Sequence, residues 1–196
     1  MIQHWSQKIA DYLISQEVID KDEFDIYVYG YETALSGIID FLMISIIGWF
    51  THQLHSTLVF FVMFVSIRLY VGGYHAKTYF QCKIMFISIY LLVIFLSNLY
   101  LPIVGIVIAL VSYLITVICF APIENINKPL DDSEKKKYRK IGIVLSILWS
   151  CAAIPLYFFN NTLSLVIVYT ALFIALLMVI SVAERRKNNE KGKCCS

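Results

Sequence analysis

The chain has 196 residues, 59% of them hydrophobic and 15% charged, with a net charge of +2 and a mean hydropathy of +0.73. A soluble domain is about 45–50% apolar and about 25% charged. This composition therefore excludes a soluble domain, a disordered chain and a nucleic-acid-binding module, and so small a net charge does not argue for a polyanion partner.

The chain opens with MIQHWSQKIADYLISQEVID. It lacks a charged start followed by an apolar core, so no signal peptide is expected. Ile2, Trp5, Ile9, Tyr12 and Leu13 recur at helical spacing, with Gln3, Lys8, Asp11 and Gln16 between them. That pattern predicts an amphipathic helix, lying on the membrane surface or on the protein's own loops. Acids outnumber bases over residues 1–32, and anionic lipid would repel that excess.

Three runs then lack charge. Residues 33–67 hold one charge, Asp40, and residues 84–123 and 141–183 hold none. One bilayer span needs about 20 apolar residues. Each run is near twice that, with a weak point in its middle: Thr51 to His55, Asn98 to Pro102, and Asn160 to Thr162. Six spans follow, at roughly 33–50, 56–70, 84–98, 103–120, 142–158 and 163–183. The expected fold is all-α: a polytopic integral membrane protein of about six transmembrane helices in three hairpins. The first hairpin is the tightest, with two spans of only about 15 residues, or about 23 Å each. Pro155 suggests a kink in the fifth span.

All 16 Lys and Arg fall in the N-terminal segment, residues 68–83, residues 121–141 and the tail after 183. The three opposite turns carry none. Positive residues concentrate on the cytoplasmic side, so both termini are expected there. The chain reads as one membrane domain over 1–196. It comprises a cytoplasmic amphipathic segment (1–32), a six-helix membrane region (33–183) and a basic cytoplasmic tail (184–196).

Five cysteines are present. Cys119 and Cys151 lie in apolar spans, where free Cys is expected as a small buried hydrophobe. Cys194 and Cys195 end the basic tail. No CxxC spacing resembles a metal site, and a cytoplasmic setting disfavours disulfides. His52 and His55 flank a turn with no third ligand near them, and His4 reads as a surface residue. No metal site is read from these spacings.

Cys82 differs, because it shares a cytoplasmic segment with Arg68, Gly72, Gly73, His75, Lys77 and Lys83. His75 and Cys82 are seven residues apart, which puts both on one helix face but about 10.5 Å apart along the axis. Contact needs a break between them, and Gly72-Gly73 supplies flexible backbone just ahead. One reading is a Cys–His pair, in which the imidazole takes and later returns the thiol proton. Lys77, Lys83 and Arg68 surround the thiol with positive charge, which favours the thiolate. The other reading is an interface loop with an ordinary His and Cys. Asp40 is the only acid inside a predicted span, and an intramembrane carboxylate is either functional or a hydrogen-bonded core group. The loop at 121–141 reads as Pro-broken at first, then as a helix with acids ahead of bases.

The run RLYVGGYHAKTYFQC, with Arg68, Gly72-Gly73, His75-Ala76 and Cys82, resembles the signature of the accessory gene regulator B family. Those proteins are integral membrane cysteine endopeptidases of Gram-positive quorum sensing. Ala121 to Pro129 resembles the family's second cytoplasmic loop, and the resemblance covers nearly the whole chain. It implies a pro-peptide substrate with an amphipathic leader, a signal sequence and an acidic tail. It implies Cys82 as nucleophile, His75 as general base and then acid, a thiolactone or lactone product, and no cofactor or metal. Arg68, Gly72, Gly73, Lys77, Lys83 and Asp40 would support or bind. The lipid bilayer, and a second copy of the chain as a homodimer, complete the expected partners, with no nucleic acid. The cations of Lys77, Lys83 and the 128–140 loop would suit the acidic tail. The competing reading is a small six-span peptide transporter without covalent catalysis.

Overall fold

The structure, a computed structural model, describes residues 2–16, 18–20, 24–73, 79–123 and 131–193. Seven helices account for it: α1 (Ile2–Ser15), α2 (Phe24–Phe50), α3 (Leu54–Val71), α4 (Tyr79–Leu96), α5 (Ile103–Phe120), α6 (Asp132–Phe159) and α7 (Asn161–Lys193). The last six match the six predicted spans. Five are long and apolar enough to cross a membrane; the apolar part of α4, Phe80–Leu96, is shorter. The protein is thus a multi-pass membrane protein.

Helix ends and span ends differ. α2 begins at Phe24, α6 at Asp132, and α7 runs on to Lys193. Charged residues end a span because they cannot enter hydrocarbon, but most of them are good helix formers and do not end a helix. At Asp131 the helix start is chemical: the Glu134 carboxylate accepts the Asp131 backbone N–H at 3.2 Å. α6 runs through Pro155 without interruption.

Two units form, Met1–Phe50 and Thr51–Ser196. In the first, α1 packs on α2. Among the described side chains of α1 the small Ser6 and Ala10 are fully buried, whereas Trp5 and Tyr12 stand 60% and 64% exposed. The predicted helix is therefore present, with its aromatic face turned outward and small residues turned in.

In the second unit α7 is central and packs against α3, α4, α5 and α6. Over residues 163–183 its sequence is apolar all round, as suits a helix that meets four neighbours and lipid. Leu165, Val166, Ile167, Val168, Ala171, Ile174 and Met178 are all buried. α4 and α5 are consecutive in the chain, and each rests on α7.

Helices pack here through small residues and buried hydroxyls, since apolar burial gives no preference for protein over lipid. α6 buries Gly142, Ser146, Ser150 and Ala153 along one stripe. Tyr113 of α5 and Ser146 share a hydrogen bond of 2.7 Å, and the Ser164 hydroxyl of α7 donates to the Ala153 carbonyl at 2.7 Å. By contrast, Cys119 and Cys151 are exposed on the outer faces of α5 and α6, not buried as expected. A thiol is apolar enough to face lipid.

Candidate active site

The site is built where α3 ends and α4 begins. On α3, Thr57, Phe60, Phe64 and Arg68 recur at three- and four-residue steps and so share a face. On α4, Cys82, Phe86 and Tyr90 recur every four residues. The two stripes meet antiparallel. At one end the Thr57 and Tyr90 hydroxyls share a hydrogen bond of 2.8 Å. In the middle Phe60 lies against Phe86 and Tyr90, with ring centroids 5.7 and 5.4 Å away, and Phe64 meets Phe86 edge-on at 5.3 Å. At the other end Arg68 comes within electrostatic range of Cys82.

The Arg68 guanidinium lies 5.4 Å from the Phe64 ring centroid, a cation–π arrangement, and its charge interacts with Cys82. Cys82 itself is half-buried in the first turn of α4.

Gly72 and Gly73 follow α3 directly, with φ of +78° and +144°. Both values lie where side-chain-bearing residues are rare. The Gly72 N–H closes α3 on the Arg68 carbonyl at 3.0 Å. Gly72 also pairs with Ile123 in a parallel β-bridge, and the Ile123 N–H donates to the Val71 carbonyl at 2.9 Å. A Cβ on Gly72 would collide with the Ile123 carbonyl oxygen. The start of the first basic segment is thus stitched to the start of the second.

His75 and Lys77 lie outside the described residues. Lys83 follows Cys82 in α4 and is half-buried. Asp40 is half-buried in α2, within the first unit. The structure thus places Arg68 near the end of α3 with Gly72 and Gly73 just after it, and Cys82 and Lys83 near the start of α4. Sequence reasoning missed Phe64, Phe86 and Ile123. The first two were legible as the aromatic steps of two stripes that end in Arg68 and Cys82. The pairing of Ile123 with Gly72 leaves no local pattern.

A family model described as Accessory gene regulator B matches residues 6–182. AgrB-like protein 2 of Clostridium perfringens strain 13 is 28% identical over 180 residues, covering 87% of this chain and 80% of that protein. Protein FsrB of Enterococcus faecalis strain OG1RF is 29% identical over 155 residues, covering 76% of this chain and 61% of that one. No solved structure matches the chain.

Proposed function

Because the chain belongs to the accessory gene regulator B family, with an accessory role in quorum sensing, we propose that it is a membrane-embedded cysteine peptidase that cleaves and cyclises a signal pro-peptide. The observation that carries this reading is the antiparallel pairing of α3 and α4, which sets Arg68 and Cys82 at the same end of the two helices.

Cys82 loses its proton to His75, and Arg68 balances the charge of the thiolate. The sulfur attacks the carbonyl carbon of the peptide bond ahead of the acidic tail. The C–N bond breaks, His75 returns the proton to the leaving amine, and the signal segment stays on Cys82 as a thioester. A Cys thiol or Ser hydroxyl inside that segment then attacks the thioester carbonyl. Its proton passes to His75, Cys82 leaves as thiolate, and the ring closes. Low water activity at the interface slows hydrolysis of the thioester, so cyclisation competes. Lys77 and Lys83 lie beside the nucleophile in sequence and suit an acidic tail. The active site and both termini are cytoplasmic, where a newly made peptide meets Cys82.

The test is cleavage of a leader–signal–tail peptide by the purified chain in lipid. Cys82→Ser is nearly isosteric but replaces a thiol with a far less acidic hydroxyl. It is expected to abolish cleavage, and His75→Ala likewise. Full turnover in correctly inserted Cys82→Ser, or peptide flux that survives it, favours the transporter reading.

A further inference from the structure

Another face of α6 takes no part in this chemistry. Lys136, Arg139, Lys140, Ile143 and Val144 line a shallow groove of about 340 Å³. Their spacing stacks them on one side of the helix. The three cations are exposed. Arg139 is partly fixed, because one guanidinium N–H donates to the Ile118 carbonyl at the end of α5, at 3.0 Å. Beyond the cations the same side continues as Val144, Ile147 and Leu148, all exposed. Positive charge therefore gives way within one turn to exposed apolar surface. On a membrane-spanning helix that change marks the boundary between headgroups and acyl chains.

The groove also points away from the candidate active site. The Tyr138 ring lies 5.5 Å from Tyr70, and a Cβ on Gly142 would lie 2.8 Å from Val71. Those two positions mark the side of α6 that meets the end of α3. At about 100° per residue, the three cations lie roughly 130° around the helix from it. A substrate held at Cys82 would have to wrap around α6 to reach them.

We infer that this groove binds an anionic phospholipid. The phosphate sits among Lys136, Arg139 and Lys140, and an acyl chain runs along Val144, Ile147 and Leu148. Charge complementarity selects the lipid: a zwitterionic headgroup brings its own cation against these three. An acidic peptide would satisfy the cations but leave the apolar continuation bare. The free edge of the Arg139 guanidinium supplies planar donors for a phosphate.

The test uses the full chain in phosphatidylcholine nanodiscs carrying a small fraction of spin-labelled phosphatidylglycerol or spin-labelled phosphatidylcholine. The protein-immobilised fraction of each label is read by electron paramagnetic resonance. The anionic label should be held about tenfold more tightly than the zwitterionic one. Joint Lys136→Gln, Arg139→Gln and Lys140→Gln substitution should remove most of that preference. Arg185→Gln, Arg186→Gln and Lys187→Gln together, which take the same charge from the tail, should keep it. Equal loss in both variants, or none in the α6 variant, overturns the site. So does an acidic peptide that displaces the anionic label and whose own binding is lost in the α6 variant. If that variant fails to insert, the wild-type chain still decides: added salt must lower the preference, and a salt-insensitive preference overturns the proposal.

Discussion

Arg68 does two jobs that a lysine cannot fully share. Its guanidinium lies over Phe64 while its charge interacts with Cys82. Arg68→Lys keeps the charge but loses the stacking, so cleavage should fall only in part. Arg68→Gln removes the charge beside the thiolate, and cleavage should fall about tenfold or more, ~1.4 kcal/mol at the barrier. The check is the rate of peptide cleavage beside the rate of Cys82 alkylation by iodoacetamide. Both should fall in parallel, because both need the thiolate. Cleavage falling with alkylation unchanged would move Arg68 from the nucleophile to the substrate. At this scale the sequence was informative, since Arg68, Gly72, Gly73 and Cys82 all stood out. What it could not give was the approach of Arg68 to Cys82 across two helices, because that depends on the register of α3 against α4.

Among elements, α6 shows how a helix start can be fixed by ionised side chains. The Asp131 carboxylate is held below its ordinary range, first by the backbone N–H of Asp132 and then by the Ser133 hydroxyl, which donates at 2.9 Å. A carboxyl depressed on folding contributes stability above its unfolded range and loses it as pH falls through the lowered value. Hydrogen-exchange protection in the first turn of α6 should therefore be full at neutral pH and fall in acid. Asp131→Asn, still a good cap but not ionisable there, should flatten that dependence. A pH dependence unchanged in Asp131→Asn would place the titrating group elsewhere. The existence and order of the helices were legible, because hydropathy reports what lipid excludes. Their ends were legible only in part: acids ahead of bases marked the helix start at Asp132, whereas Phe24 to Glu32 are helical yet too polar to count as span. The central place of α7 was hidden as well, since an all-round apolar helix reads the same facing lipid or protein.

For the whole molecule, the placement of all 16 Lys and Arg sets the expected orientation. In a cysteine-free background, single cysteines at Gln53, Tyr100 and Asn161 should react with an impermeant thiol reagent from outside the cell. Cysteines at Thr78, Asp132 and Asn188 should react only after the membrane is opened. Labelling of Thr78→Cys from outside would put the nucleophile on the wrong side for a peptide made in the cytosol. The most direct test of the central claim is to trap the covalent intermediate. A substrate whose internal Cys or Ser is replaced by Ala cannot close the ring, so the acyl group should remain on Cys82. Intact-protein mass spectrometry should then show the chain heavier by the leader and signal segment, with hydroxylamine releasing the adduct and Cys82→Ser lacking it. Tail release from that substrate at full rate, with no hydroxylamine-sensitive adduct formed at any time, would contradict covalent catalysis by Cys82.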